Sequence, residues 1–261
     1  MSTQAYGPTS GVEDFRAGLD PTRWIAAYLP AWSSRAAARA EWSTTAQGLT
    51  LAIPPEHPVW CAGDHDPPLR VSAIQSGNWS GPVGSMQGQQ PFRSGQLVRE
   101  AQPTLWGLTP HHGRVEVTCR ATLTPESMFS AWLIGLEDHP DRCGEICLVE
   151  VFGSSVESSP MPSVELGRGV HAFRDPALRE EFSAPRTPID VAREHTYGVD
   201  WRADGVSFLL DGEVIDSVDQ SPNYPMQLII AIFEFPSRTE IAASDRTVPE
   251  LSVREVRVDR R

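Results

Sequence analysis

Apolar and polar residues alternate with a period of two in three early runs, 49–53, 69–75 and 114–121, each closed by Gly, Pro or Ser. Such alternation predicts half-buried strands. The runs 128–134 and 145–152 are denser in apolar residues, which predicts strands at the centre of a packed sandwich. Runs 197–202, 206–210 and 211–215 are separated by Asp204-Gly205 and Asp211-Gly212, strong hairpin signals, and so predict a meander. Late strands are predicted at 226–233 and 251–258. Only 175–182 reads as a short helix, while 34–42 has the composition for one helical turn or two in an otherwise irregular stretch up to residue 48. Many short strands and almost no helix predict an all-β fold built as two packed antiparallel sheets.

Composition narrows the class. With 261 residues, 40% hydrophobic and 21% charged, one large core is expected, as one domain over 1–261 with a flexible N-terminus at 1–11. The 20 glycines and 23 prolines make up about a sixth of the chain, against an average near 12%, and show no period, which favours a loop-rich globule over a collagenous or disordered chain. No basic and apolar leader or long apolar run is present, so a soluble, cytoplasmic protein is expected, and any extracellular action would need unconventional export. The formal charge is −12, and all 22 basic residues are arginine. That excludes lysine-based catalysis and argues against nucleic acid or an anionic membrane as partner. Cys61, Cys119, Cys143 and Cys147 lack zinc-type spacing and are expected as thiols. Cys143 and Cys147 on one strand would lie roughly 13 Å apart, too far for a disulfide.

The run from Glu145 to Glu150 holds two glutamates in an apolar, central strand, a costly arrangement unless the carboxylates are paired or used. In a regular strand residues 145 and 150 point to opposite faces. A one-residue bulge after Cys147 would return Glu150 to the face of Glu145 and allow the close carboxyl pair of a retaining glycosidase. The competing arrangement has one glutamate on a solvated face and the other paired with an arginine.

Further motifs bear on that choice. Glu145 to Glu150 with Val151, Phe152 and Gly153 resembles the ExDxxE strand of family 16 glycoside hydrolases, the laminarinase and lichenase group. Residues 113–121 are similar to the family's GR[FV]E[VA]RAK strand, 130–134 to PAFWLL, and Gly169, Val170 and His171 to its histidine strand. Residues 195–201 with 206–213 resemble HTYxxEW…xFYVDGE, and 225–231 resembles PMYLILN. The resemblance spans roughly 12–258. It implies a concanavalin A-like β-jelly-roll with a concave carbohydrate cleft, acting on a neutral polysaccharide or oligosaccharide without a cofactor. Glu145 corresponds to the nucleophile and Glu150 to the acid/base of a retaining endo-β-glucanase. His171 is implied near a sugar hydroxyl, and Trp132 and Trp106 as cleft walls. Gln227 and Glu234 fall on a late strand bordering the cleft.

Departures from the pattern are informative. The motif's central aspartate is Cys147, a weak donor, which allows a slower enzyme or a carbohydrate-binding protein with little turnover; a transglycosylase would use the same glutamates. The sugar-contacting Asn-x-Glu group is matched by a stretch around Arg35. Met128 stands for a tryptophan, and no tryptophan lies just ahead of Glu145. An aspartate that helps hold calcium in many members is Arg254, so no metal is expected there. Trp24 and Trp201 are expected in the core, His195 at a strand end, and His111-His112 and Asp64-His65-Asp66 in solvated turns.

Overall fold

The computed structural model describes residues 6–236 and 247–260. In chain order the first strands are β1 (Gly11–Glu13), β2 (Glu41–Thr45), β3 (Gly48–Ala52), β4 (Val59–Trp60) and β5 (Leu69–Gln75). Then come β6 (Gly77–Asn78), β7 (Leu105–Trp106), β8 (Gly113–Thr122), β9 (Ser127–Gly135) and β10 (Glu145–Phe152). Next are β11 (Val164–Glu165), β12 (Gly167–His171), β13 (Glu181–Ser183), β14 (Arg186–Thr187) and β15 (His195–Arg202). The last are β16 (Gly205–Leu210), β17 (Glu213–Val218), β18 (Met226–Glu234) and β19 (Glu250–Asp259). One antiparallel sheet has the order β17-β16-β15-β8-β19-β3-β2, with β1 also on β19. The other is β13-β12-β10-β9-β18-β5-β4, and β6-β7 and β11-β14 form small ribbons. The two-sheet architecture expected from the alternation is observed, and it is jelly-roll-like, as the family resemblance implies.

The alternating positions do what their period dictates. Val115, Val117, Cys119 and Ala121 of β8 face Phe129, Ala131 and Leu133 of β9 and Leu228, Ile230 and Ile232 of β18 in the core between the sheets. The dense runs have a separate cause: all nine residues of β9 and of β18 are buried. Their outer face is covered by a second apolar layer in which Ala27, Leu29, Ala31 and Trp32 pack on Trp132, Ile134, Ile229 and Ala231. Burying each large side chain contributes about 1.5–3 kcal/mol, so the layer anchors an otherwise irregular segment. Trp24 and Trp201 are core residues, and all four cysteines are buried free thiols.

Local expectations met mixed outcomes. Asp211-Gly212 is a two-residue turn between paired Leu210 and Glu213, with φ of 51° and 87°. The earlier turn is Ala203-Asp204, since Arg202 pairs with Gly205. Gly205 is required for another reason: a Cβ there would sit 2.5 Å from the Val218 carbonyl oxygen. Residues 34–38 make one helical turn, Ala38 N–H donating to the Ser34 carbonyl at 2.9 Å. The helix expected at 175–182 is absent. The Asp175 carboxylate accepts from Ala177 N–H at 2.8 Å and from the Tyr224 hydroxyl, a local turn that outcompetes a short helix with a costly nucleus. The chain then enters β13. Of the 1–11 segment expected to be flexible, residues 1–5 lie outside the described residues. Beyond them the Tyr6 hydroxyl donates to Asp138 at 2.7 Å, the Pro8 carbonyl accepts from Thr109 N–H, and Gly11 opens β1.

Candidate active site

The site is built on β10. Against β9 its register runs Glu145 to Ile134, Ile146 to Leu133 and Cys147 to Trp132, then Val149 to Ala131 and Glu150 to Ser130. Leu148 is thus the extra residue of a β-bulge. Leu148 and Val149 both enter the intersheet core with Ile146 and Val151, and Glu150 returns to the face of Glu145 and Cys147. The rows across this face are Gln227, Ile134, Glu145 and His171; then Ile229, Trp132, Cys147 and Gly169; then Ala231, Ser130, Glu150 and Gly167. Gly167 makes room beside Glu150, because a Cβ there would lie 3.0 Å from the Glu150 Cβ and 2.7 Å from the Phe182 ring.

Around Glu145 the contacts form a chain. Gln90 Nε2 donates to Glu145 Oε2 at 3.3 Å, and Gln90 Oε1 accepts from Trp132 Nε1 at 3.4 Å. His171 Nε2 lies 3.9 Å from Glu145 Oε1, while its Nδ1 meets Glu180 Oε1 at 2.5 Å. Phe182 stacks on the imidazole at 4.8 Å. Tyr28 contacts the ring of Trp132 at 6.4 Å.

Burial governs the electrostatics. It pushes Glu145 up to about 8, with further lift from the charges of Glu150 and Glu180. Glu150 is also raised by burial, an effect offset in part by His171. Burial, then the two flanking carboxylates, holds Cys147 as a thiol, and burial and the Glu145 charge raise the Tyr28 hydroxyl. Two carboxyls that oppose each other's ionisation in a low-dielectric face give up their protons one at a time.

The structure thus brings Glu145, Cys147, Glu150, His171 and Trp132 together. The other sequence candidates lie elsewhere or are sealed. Arg35 Nε donates to Gln102 Oε1 at 3.1 Å, and Glu100 accepts from its backbone N–H, so it fastens two loops. Glu234 is buried and pairs with Arg70 at 3.2 Å. Gln227 shares the row of Glu145 but is fully buried beneath Gly77, and neither side-chain polar atom has a hydrogen-bond partner among the described residues. Trp106 sits in the β6-β7 ribbon opposite Gly77, its indole N–H without a hydrogen-bond partner among the described residues. Outside the site, His195 Nδ1 meets Asp211 Oδ2 at 2.7 Å and Arg254 pairs with Glu194 at 3.1 Å. Asp64 is ion-paired with Arg93 and Arg99.

Sequence reasoning missed Gln90, Tyr28 and Glu180. Gln90 sits at φ 46° in a loop without periodicity, a conformation nothing in its side chain announces. Tyr28 lies in the segment read as irregular, and Glu180 in the segment read as helix.

Comparisons with known proteins bear on the family and the fold. Residues 109–243 match the profile of glycosyl hydrolases family 16. The fold is similar to the GlcNAcα1-4Gal releasing endo-β-galactosidase from Clostridium perfringens, with a TM-score of 0.77 at 21% identity over 98% of this chain; the chain spans 62% of that enzyme's length. It is also similar to the laminarinase from Flavobacterium sp. UMI-01, with a TM-score of 0.64 at 14% identity over 97% of this chain and 100% of that one. The Crh5 transglycosylase gives a TM-score of 0.57 at 14% identity, covering 97% of this chain and 85% of that one. No curated protein sequence matches. Because the matched profile takes in more than half of the chain, including the two-glutamate strand and the histidine strand beside it, the protein belongs to glycosyl hydrolases family 16.

Proposed function

We propose that this protein is a retaining endo-β-glycosidase in which Glu145 is the nucleophile and Glu150 the acid/base. The observation that carries the reading is the bulge at Leu148, which turns Glu150 onto the face of Glu145 with only the small Cys147 between them. In the first step a Glu145 oxygen attacks the anomeric carbon, the glycosidic C–O bond breaks, and the leaving oxygen takes the proton of Glu150. In the second step Glu150 removes a proton from water, and the resulting nucleophile releases the sugar from Glu145. The step order requires the pair's proton on Glu150, whereas burial holds it on Glu145 in the free protein; that proton must pass to Glu150 when substrate binds, a transfer assisted by the Gln90 amide N–H, which favours the charged form of Glu145.

A β-glucan of laminarin or lichenan type is the first substrate class, from the motif pattern. A β-galactoside glycan is the second reading, favoured by the higher TM-score to the endo-β-galactosidase, 0.77 against 0.64 for the laminarinase. The test is incubation with laminarin, lichenan, agarose, carrageenan, xyloglucan and mucin O-glycans, with product anomers read by NMR. The expected result is cleavage of one class with retention, and a loss of about 10²–10⁴ in rate for Glu150→Gln and at least as much for Glu145→Gln. Binding without turnover, unchanged by either substitution, would favour a lectin, and longer oligosaccharide products a transglycosylase.

A further inference from the structure

A cavity of about 170 Å³ opens beside Glu145, and the two-step reaction above makes no use of it. Its apolar wall is Tyr28, Phe92, Ile134 and Phe173, and its polar groups are Glu137 and Arg174. Two links fix its place. Ile134 is the cross-strand partner of Glu145, and Gln90 joins the two sites, its side chain on Glu145 Oε2 and its backbone N–H on Glu137 Oε1 at 2.5 Å. Phe173 and Arg174 follow His171, the last residue of β12, after Ala172, so the turn that closes the cavity continues the strand flanking the carboxyl pair.

The size and chemistry of the cavity select its occupant. A single water needs about 10–15 Å³ of such space, so the cavity admits a group about ten times larger than a lone hydroxyl's hydration water. An anionic substituent is disfavoured, because Arg174 is already neutralised by its ion pair with Glu137 and Glu145, Glu150 and Glu180 stand nearby. A purely apolar group would cover the buried Glu137 carboxylate and strip water from the half-exposed Arg174 guanidinium without replacing the hydrogen bonds lost. The lining asks for a compact neutral group with one acceptor, one donor and an apolar end. We infer that the cavity receives the acetamido group of an N-acetylated sugar in the part of the glycan that lies on the Glu145 side of the scissile bond. Arg174 supplies donors for the carbonyl oxygen, Glu137 an acceptor for the amide N–H, and the aromatic rings a surface for the methyl. The sugar's position relative to the scissile bond rests on the two-glutamate reading; the occupancy of the cavity does not.

The experiment is therefore a binding measurement that needs no turnover. N-acetylglucosamine, glucose and glucosamine are compared on the full chain by saturation-transfer NMR, with the acetyl methyl as reporter. N-acetylglucosamine is expected to bind best and to receive its strongest saturation at the methyl. Phe173→Ala, at a ring 59% exposed and so safe for folding, and Arg174→Lys are each expected to weaken it about fivefold. Equal binding of glucose, preference for the cationic glucosamine, or N-acetylglucosamine binding untouched by both variants overturns the inference. Cleavage of plain β-glucans by a protein that ignores N-acetylglucosamine also overturns it while leaving the glycosidase reading intact. N-acetylglucosamine binding by a protein that cuts no glycan supports the cavity and counts against the glycosidase.

Discussion

At the scale of single residues the site turns on three neighbours, Glu145, Cys147 and Glu150. Cys147 is kept as a thiol first by its burial and then by the carboxylates on either side. Cys147→Asp would restore a charge-assisted hydrogen bond worth about 1.5–3 kcal/mol, or roughly 10- to 100-fold in rate. It would also place a third carboxyl on a face where two already resist ionisation. Activity on a confirmed glycan is expected to stay level or rise while Tm falls, and a clear loss of activity overturns the place assigned to Cys147. Glu145 carries a second prediction. Its carboxyl is raised from 4.5 to about 8, so between those values the folded chain binds more protons than the unfolded one. Stability therefore falls as pH rises through that window. Glu145→Gln removes the cost and is expected to raise Tm at pH 8 by more than at pH 5; an equal shift at both values contradicts the raised carboxyl. The two glutamates were legible because a charged pair inside an apolar run is rare. Gln90 and Glu180 were not, since a loop glutamine and a surface glutamate carry no signal until the chain folds them onto Glu145 and His171.

At the scale of elements the decisive feature is one extra residue in β10. Deleting Leu148 would restore regular alternation and still leave Glu150 opposite Ser130 on the face of Glu145, while the core loses the Leu148 side chain. That variant is expected to keep turnover, because the facing of both carboxyls survives, and to unfold at lower temperature. Leu148→Ala keeps the bulge and is expected to retain turnover at a cost of about 2–5 kcal/mol in stability. Loss of turnover on deletion of Leu148, with Leu148→Ala active, would show that the site needs more than the common facing of the two carboxyls. The sequence signalled the strand plainly, and the bulge was readable only as a condition: both carboxyls meet if, and only if, the register slips by one. The segment 175–182 shows the opposite case. Its composition suits a helix, but Asp175 binds its own backbone and the Tyr224 hydroxyl, and that tertiary partner, 49 residues away, lies beyond any local pattern.

At the scale of the whole molecule the β9-β18 centre of the seven-stranded sheet is buried on both faces, by the opposing sheet and by the layer that Trp32 centres, while β10, β12 and β13 leave the face of the carboxyl pair open. The ring of Trp32 is fully buried, its Nε1 donates to the Gln89 carbonyl at 2.7 Å, and Gly88 lies against it. Trp32→Ala is expected to cost about 3–5 kcal/mol, measured by denaturant unfolding; a loss under 1 kcal/mol would mean that the layer does not support the sheet. The strand order has a consequence for how this protein is made. β19 is inserted between β8 and β3, with Leu251 opposite Leu51. A ribosome must therefore synthesise some 200 residues after β3 before the strand that joins β3 to β8 exists. Until then the emerging chain displays two unsatisfied strand edges, surfaces on which neighbouring nascent chains can pair. Translation rate and chaperone supply, rather than the strength of the finished core, should set how much of this protein is recovered folded.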